Sequence, residues 1–323
     1  MKFSIITACY RGAKHLPGLY ESLRNMHQVG ADFEWIMVDD FSNDGDRTAS
    51  LMRQYQAEAP FPAQAVFLNQ NHYGARSVPE GLQAATGDYV IVLDQDDFLA
   101  PDALAIFSRL LDKYRGASNL AGVCGRCIDL DGRLIGTPFR WEERLANELE
   151  VRHVHKIRGE LFQCTRTDVL REFYRDLKPG YTNGHVWTRI ARHYRYVYTA
   201  EVVRIYDMGN PDSHSNSGAV RYLRNSLEAY LYYINTNADY LRKDWTYCLV
   251  MLLHAGRFAR HLRMDLATLT KGMPADLALL ATLMHPASML LAAQDSRRGK
   301  MFYAGPELKG QALNARKGGL LLR

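Results

Sequence analysis

The stretch VIVLDQDDF, from Val90 to Phe98, ends an apolar run with three carboxylates in four positions. These acids are Asp94, Asp96 and Asp97. An apolar run of this kind is typical of a strand that is buried on both faces. Uncompensated like charges about 4 Å apart cost roughly 1 to 4 kcal/mol, depending on exposure. A divalent cation would remove that cost, and carboxylate oxygens suit Mg²⁺ or Mn²⁺. The stretch therefore predicts a metal site at the end of a strand.

Strand and helix patterns alternate through the first hundred residues. Helical stripes such as Leu16, Leu19, Leu23 and Met26 separate segments that are apolar throughout. This alternation predicts an α/β fold with a mostly parallel, mixed sheet covered on both faces. The predicted strands are Phe3–Cys9, Phe33–Val38, Ala63–Leu68 and Tyr89–Leu93.

Acidic residues follow two of these strands. Asp39 and Asp40 come directly after the second strand, as the three later acids come after the fourth. Ligands of open α/β sheets bind beyond the carboxyl ends of the strands. A single Asp at such a place often caps a helix or makes a turn. Five acids are too many for that explanation, so we expect them to converge on one rim of the sheet.

The composition is that of an ordinary globular protein, with 47% hydrophobic and 23% charged residues. The five cysteines are few and widely spread, which argues against a disulfide framework and for a reducing cytoplasm. The start MKFSIITACY leads straight into a strand pattern without an apolar signal core. We therefore expect a cytoplasmic protein, and we expect no nucleic-acid partner.

The C-terminal region, residues 217–323, is basic and helical by pattern. From Ala219 onward the chain carries 15 Lys or Arg against 7 Asp or Glu, whereas the first 218 residues carry 25 against 28. Its most apolar segment, Leu277–Ala293, has 17 residues and contains His285-Pro286. That is short for a membrane span, and Pro is expected to break the helix. The alternatives are a buried helix pair or homodimer contact, and peripheral attachment to an anionic inner-leaflet surface.

Three motifs together resemble glycosyltransferase family 2, whose members are inverting enzymes with the GT-A fold. They read SIITACYRG, WIMVDDFSNDGD and GLQAATGDYVIVLDQDD. The resemblance covers Lys2 to Pro101 and extends more weakly to about His214. It implies a nucleotide-sugar donor, most often a UDP-sugar. It also implies an Mn²⁺ or Mg²⁺ ion that acts as a Lewis acid on the leaving diphosphate.

The resemblance assigns donor-binding roles to several residues. Asp40 matches the acid that hydrogen-bonds the nucleotide base, with Asp39 beside it, and Ala8 and Tyr10 align with the segment that borders the base. Arg76 lies two positions before the usual arginine of the family. It would either reach a phosphate or remain a surface charge.

The same resemblance assigns the metal site. Asp94 and Asp96 match the family's D-x-D motif. Asp96 would be the direct metal ligand, while Asp94 would hold the ribose or a metal-bound water. Asp97 is a second candidate ligand. His214 is a third, because family members often place a histidine shortly after the last strand of the catalytic domain.

The general base is less clearly marked. Where the family has E-D-x-x-L-W-x-R, this chain has Thr182–Arg189, so that Asn183 occupies the position of the catalytic Asp. An amide cannot take a proton. His185 could serve instead, since an unperturbed histidine pKa near 6.5 suits proton abstraction near neutral pH. The alternatives are a core histidine at this position, or a base from another segment such as Asp168 or Glu160.

The predicted organisation is a GT-A catalytic domain, residues 1–216, followed by the helical region. Residues 1–101 would bind the donor and residues 102–216 the acceptor. The predicted function is sugar transfer to a saccharide or lipid-linked acceptor in cell-surface polysaccharide synthesis. One alternative is a nucleotide-sugar-binding scaffold without activity. Another is a sugar-phosphate nucleotidyltransferase, for which Arg11–Lys14 is a poor phosphate loop.

Overall fold

The computed structural model describes residues 1–28, 30–72, 74–175, 183–207 and 223–297. These residues form two units. The first unit holds the described residues of 1–148, 157–175 and 189–207, and the second holds 149–156, 183–188 and 223–297. The predicted boundary between residues 216 and 217 lies outside the described residues.

The first unit is built on one mixed sheet, to which nine strands contribute among the described residues. The strands are β1 (Phe3–Cys9), β2 (Phe33–Asp39), β3 (Ala63–Phe67), β4 (Tyr89–Val92), β5 (Phe98–Leu99), β6 (Leu120–Asp129), β7 (Glu143–Ala146), β8 (Leu161–Arg166) and β9 (Arg195–Tyr206). The first six helices along the chain are α1 (Leu16–Gln28), α2 (Arg47–Glu58), α3 (Ser77–Ala84), α4 (Ala103–Lys113), α5 (Thr167–Arg175) and α6 (Asn183–His193), with a 3-10 turn at Gly12–Lys14.

The sheet has the strand order β3-β2-β1-β4-β8-β6-β9-β5, and β7 pairs with β9. The first four strands in this order are parallel to one another. Strand β8 runs antiparallel to β4 and to β6, while β6 and β9 are parallel. The predicted α/β class with a mixed sheet is confirmed, because each of the four predicted strands is present and helices separate them.

Strand β2 is buried at every position, yet it contains a glutamate. The carboxylate of Glu34 accepts hydrogen bonds from Ser4 Oγ at 2.6 Å, from the Thr86 backbone N–H at 2.6 Å and from Lys2 Nζ at 2.9 Å. Ser4 belongs to β1 and Thr86 precedes β4. This one side chain therefore links the three strands that carry the predicted site, and its hydrogen bonds make its burial tolerable.

The second unit is helical. Its helices are α7 (Leu223–Thr236), α8 (Ala238–Leu241), α9 (Trp245–His261), α10 (Leu266–Thr270) and α11 (Ala275–Arg297), and a short helical turn, Glu150–Val154, belongs to the same unit. Helices α9 and α11 approach closely, since a Cβ on Gly256 would lie 2.5 Å from Ser288 Oγ. The Asp295 carboxylate also joins them, because it pairs with Arg257 and His261.

The prediction that Pro286 breaks the last helix was wrong. Helix α11 continues through it from Ala275 to Arg297. Just after the proline, Ser288 donates a hydrogen bond to the Leu253 carbonyl of α9 at 3.1 Å, so packing holds the helix together where one backbone bond is lost. Among the described residues, α11 is the helix long and apolar enough to cross a membrane by length and composition. Its outer face exposes Leu279, Leu283 and Leu290 by 61%, 68% and 67%.

Candidate functional site

The carboxyl ends of β2, β1 and β4 meet at one edge of the sheet. Cys9 lies opposite Asp39, and Ile6 lies opposite Val92. Neighbouring strands are about 4.8 Å apart, so the residues that follow these three strands lie side by side. We call this edge the rim and define it as residues 10–12, 39–44 and 94–97. The structure thus brings the segments after the three strands together, in agreement with the expectation from sequence.

A side-chain clip joins two segments of the rim. The Gln95 amide donates a hydrogen bond to the Tyr10 carbonyl and accepts one from the Tyr10 N–H, both at 3.0 Å. Gly12 leaves room for it, since a Cβ there would lie 2.3 Å from Gln95 Oε1. Gln95 was not predicted from the sequence, because the middle residue of D-x-D is variable and carries no signal of its own.

Arg11 connects the same segment to the loop after β2. Its N–H donates to Ser42 Oγ at 2.8 Å, and its guanidinium donates to Asn43 Oδ1. Its backbone is left-handed, with φ of 51°, which is uncommon for a residue other than glycine and is often found at functional sites. Tyr10, which is 39% exposed, has this guanidinium 5.2 Å from its ring centroid. Ala8 is partly buried on β1, opposite Val38.

Two acids at the end of β2, Asp39 within the strand and Asp40 after it, organise loops. The Asp39 carboxylate accepts the Ser42 N–H at 3.2 Å, and burial raises the pKa of Asp39. Asp40 is 2% exposed, and its two oxygens accept the backbone N–H groups of His72 at 2.8 Å and Gly74 at 2.6 Å. A carboxylate has about four lone-pair sites, so capacity for a ligand remains. Base recognition by Asp40 stays a prediction.

Arg76 precedes α3 and forms an ion pair with Glu80 on that helix. Its side chain is 55% exposed. An exposed i,i+4 pair of this kind is weak, so it would give little resistance to a competing phosphate. The role of Arg76 as a phosphate ligand stays a prediction.

Asp94 and Asp96 present carboxylates at the rim. The Asp94 side chain is 61% exposed, and Asp96 is partly exposed. Hard oxygen ligands of this kind fit Mg²⁺ or Mn²⁺, whose other ligands would come from a diphosphate and water. Within the described ranges no group of three or more His, Cys, Asp or Glu residues is arranged to hold a metal ion. His214, the third predicted ligand, lies outside the described residues.

Asp97 is turned away from solvent. Its side chain is fully buried, one oxygen accepts the Asp207 N–H at 3.0 Å, and the other accepts a hydrogen bond from Arg204. Burial raises the pKa of Asp97 to about 7, and the Arg204 guanidinium opposes this rise. This arrangement does not favour the predicted role of Asp97 as a metal ligand, because a fully buried carboxylate is not presented to an ion at the rim.

Arg204 on β9 is the partner of Asp97, and the sequence did not predict it. It is 6% exposed and lies between aromatic rings, with its guanidinium carbon 5.0 Å from the Phe162 centroid and 4.5 Å from that of Tyr206. It also donates to Asp94 Oδ2 at 3.2 Å. A signal for it exists in the sequence, since a single arginine within the strand VVRIY requires a buried partner.

The predicted base residues lie in the part of the chain around α6. His185 belongs to the second unit, is 3% exposed and has its ring 5.3 Å from that of Tyr232. This burial fits the alternative of a core histidine, and its catalytic role stays a prediction. Asn183 is the first residue of α6, and the structure describes its backbone alone.

The two alternative bases lie at opposite edges of the sheet. Because β8 is antiparallel to β4 with Arg166 opposite Tyr89, Asp168 lies at the amino end of β4. Its carboxylate is paired with Arg166. Glu160 precedes β8 and therefore lies at the other edge, where β4 leads to Asp94. It is exposed. By position, Glu160 is the better candidate of these two.

Comparison with known proteins places these features in a family. Residues 4–158 match the family Glycosyl transferase family 2. Chondroitin synthase of Escherichia coli is 29% identical over 169 residues, which cover 50% of this chain and 23% of that protein. The match thus spans less than a quarter of that relative's length.

Two solved structures are similar over nearly the whole chain. Staphylococcus aureus TarS 1-349 in complex with UDP-GlcNAc superimposes with a TM-score of 0.62 at 17% identity, over 94% of this chain and 93% of that one. Mannosyltransferase PcManGT from Pyrobaculum calidifontis in complex with GDP-Man and Mn²⁺ gives a TM-score of 0.54 at 19% identity, over 92% and 87%. At such identities the likeness establishes the fold. Residues 4–158 therefore form a glycosyl transferase family 2 segment, and the fold is GT-A.

Proposed function

We propose that this chain transfers a sugar from a nucleoside-diphosphate sugar to a hydroxyl group of a saccharide or lipid-linked acceptor, with inversion and with a divalent metal. The observation that carries the proposal is the rim, where the exposed Asp94 and the partly exposed Asp96 are clipped through Gln95 to the segment at Tyr10. A UDP-sugar is the first candidate donor, since a structure of similar fold was solved with UDP-GlcNAc. Cell-surface polysaccharide synthesis is the proposed context.

We assign a proposed role to each residue from its position at or next to the rim. Ala8, Tyr10, Asp39 and Asp40 would contact or support the nucleoside, and Asp94 and Asp96 would hold the metal. An Mn²⁺ or Mg²⁺ ion, when bound, supplies Lewis-acid stabilisation of the leaving diphosphate. The Mn²⁺ in the mannosyltransferase complex supports this choice of ion.

A general base must receive the proton of the acceptor hydroxyl. His185 and Glu160 are the candidates in this proposal, since Asn183 cannot serve. Glu160 is favoured by its exposure and by its place at the edge of the sheet that carries Asp94. Proton transfer to a positioned base typically contributes 10² to 10⁴-fold in rate.

A second candidate function is nucleotide-sugar binding without transfer. Asn183 at the family's base position and the burial of His185 favour it. Release of free sugar from the donor without acceptor discriminates the two, because a scaffold binds the nucleotide and releases no sugar. The third alternative, a sugar-phosphate nucleotidyltransferase, is not proposed, because residues 4–158 match a family of glycosyl transferases.

The exposed face of α11, formed by Leu279, Leu283 and Leu290, is proposed as a contact surface in the cytoplasm. Its occupant would be a second copy of the chain or an anionic inner-leaflet surface. Leu283→Glu with Leu290→Glu should abolish that contact. Light scattering after size exclusion detects the first occupant, and flotation with phosphatidylglycerol vesicles detects the second. A monomeric wild-type chain that does not float would overturn the proposal.

The central experiment is calorimetric titration of the full chain with UDP, GDP and their sugars, with and without Mn²⁺. We expect binding of a UDP compound that Mn²⁺ strengthens. Asp96→Asn should remove the Mn²⁺ effect, whereas Asp112→Asn, a change in an exposed residue of α4, should not. Absence of nucleotide binding in the wild-type chain under either condition would refute the proposed function.

A further inference from the structure

We infer that Asp97 and Arg204 form a bracket that positions the D-x-D segment, and that Asp97 is not a metal ligand. We use the name bracket for this pair of residues. The inference deepens the proposed function and rests on it, because the segment being positioned is the one that would hold the metal and the diphosphate.

The first observation is the direction of the Asp97 carboxylate. Both of its oxygens are used by β9 and the residue that follows it, one by the Arg204 guanidinium and one by the Asp207 N–H at 3.0 Å. The Asp97 N–H in turn donates to the Asp94 carbonyl at 3.2 Å, which closes the turn between the two residues. Asp97 therefore attaches the D-x-D turn to the end of β9.

The second observation is that this attachment continues along the backbone. The turn leads directly into β5, and β5 pairs with β9 so that Leu99 lies opposite Arg204 and Phe98 opposite Ile205. The bracket and this short ladder lie next to each other. Two backbone pairs alone make a weak connection, and the Asp97–Arg204 ion pair adds a side-chain connection beside them.

The third observation is that Arg204 is itself fixed. The rings of Phe162 and Tyr206 lie within 5.0 Å and 4.5 Å of its guanidinium carbon, which limits the motion of the planar group. The same guanidinium donates to Asp94 at 3.2 Å. Arg204 thus restrains the exposed carboxylate of Asp94 while its charge compensates that of the buried Asp97.

The consequence for the site concerns charge and geometry together. With Asp97 compensated by Arg204, the other two acids of the segment are Asp94, which is exposed, and Asp96, which is partly exposed. The bracket would hold them where a diphosphate and its metal can be bound without reorganisation. Loss of the bracket should therefore weaken donor binding while the ligands for the metal remain.

The test compares Asp97→Asn, Arg204→Lys and Asp96→Asn in the full chain. Calorimetry gives the UDP affinity with and without Mn²⁺, and thermal melting gives the stability. We expect Asp97→Asn and Arg204→Lys to melt at lower temperature and to bind UDP about fivefold to tenfold more weakly, while Mn²⁺ still strengthens binding. Asp96→Asn should melt like the wild type and lose the Mn²⁺ effect.

The opposite pattern overturns the inference. If Asp97→Asn melts like the wild type and loses the Mn²⁺ effect, Asp97 is a ligand and the bracket does not exist. If Asp97→Asn does not fold, Arg204→Lys decides the question, because it keeps the positive charge and leaves all three acids in place. A wild-type chain that binds no UDP refutes the proposed function, and the melting temperatures of the variants still test the bracket.

Discussion

The side-chain amide of Gln95 makes two hydrogen bonds to the main chain of Tyr10, each 3.0 Å long. Tyr10 follows β1, and Gln95 is the middle residue of the D-x-D motif. The clip therefore ties the segment proposed to border the nucleotide base to the segment proposed to hold the metal. In the proposed nucleotide-sugar site it would fix the distance between the two ends before any ligand binds, which is the arrangement that lowers the cost of ordering a site on binding.

Replacing Gln95 by alanine should weaken donor binding. Both hydrogen bonds are lost, and we expect UDP affinity to fall about fivefold, because each bond is worth about 1 kcal/mol and is partly exposed. The melting temperature should change by less than about 2 °C, since the clip lies outside the core. Calorimetry with Mn²⁺ present checks the affinity. Gln83→Ala on α3 is the matched control, and equal affinities of the two variants would contradict the role of the clip.

The clip can also be tested by a substitution at Gly12, which lies against the Gln95 amide. A Cβ on Gly12 would lie 2.3 Å from Gln95 Oε1, so Gly12→Ala should displace the amide and weaken UDP binding to a similar extent as Gln95→Ala. The double variant should be no weaker than either single variant, because both act on one interaction. Gly116→Ala, where an added Cβ meets nothing within 4 Å, should bind UDP like the wild type. Additive losses would show that Gly12 acts by another route.

The sequence predicted the first four strands and their shared edge, and the reason is physical. Apolar runs that end in acids predict buried parallel strands and a shared edge, and this edge is where the structure brings Tyr10, Asp40 and Asp94. The direction of each carboxylate could not be predicted in this way. Asp96 and Asp97 are neighbours in sequence, yet one is partly exposed and the other is buried against Arg204, more than a hundred residues later.

Contacts between distant parts of the chain also could not be predicted from the local sequence. Gln95 reaches Tyr10 across 85 positions, and nothing in its local sequence distinguishes it from a surface residue. Pro286 shows the reverse case, because the local rule for proline predicted a break that packing of α11 on α9 overrides. Local propensity is a weak prior wherever tertiary contacts compensate for it.

The stability of the first unit should depend on the ionisation of Glu34. Burial alone would raise the pKa of Glu34, but hydrogen bonds from Ser4, Thr86 and Lys2 lower it to about 2. An unfolded glutamate has its usual pKa of 4.5, so the stabilisation is complete above that pH and is lost as the pH falls from 4.5 towards 2. Denaturant unfolding should show Glu34→Gln less stable by about 1 to 3 kcal/mol near neutral pH.

The pH dependence separates this effect from a general loss of packing. The difference between wild type and Glu34→Gln should shrink as the pH falls below about 4, because the wild-type carboxylate then becomes protonated as well. Glu58→Gln, at the end of α2 and exposed, should follow the wild-type curve at every pH. A difference that stays constant down to about pH 2.5 would show that the charge of Glu34 is not the source of the stabilisation.

Variants of two carboxylates near β8 test which residue is the general base for the acceptor hydroxyl. Glu160 lies at the edge of the sheet that carries Asp94, and Asp168 lies at the opposite edge, paired with Arg166. If Glu160 is the base, Glu160→Gln should lower kcat by about 10² to 10⁴-fold and leave the UDP affinity unchanged, since proton transfer is lost while donor binding is not. Asp168→Asn should keep kcat within about twofold, because Asp168 lies at the opposite edge of the sheet from Asp94 and is paired with Arg166. A normal kcat for Glu160→Gln together with a large loss for His185→Gln would move the base to α6 and assign the proton transfer to the histidine.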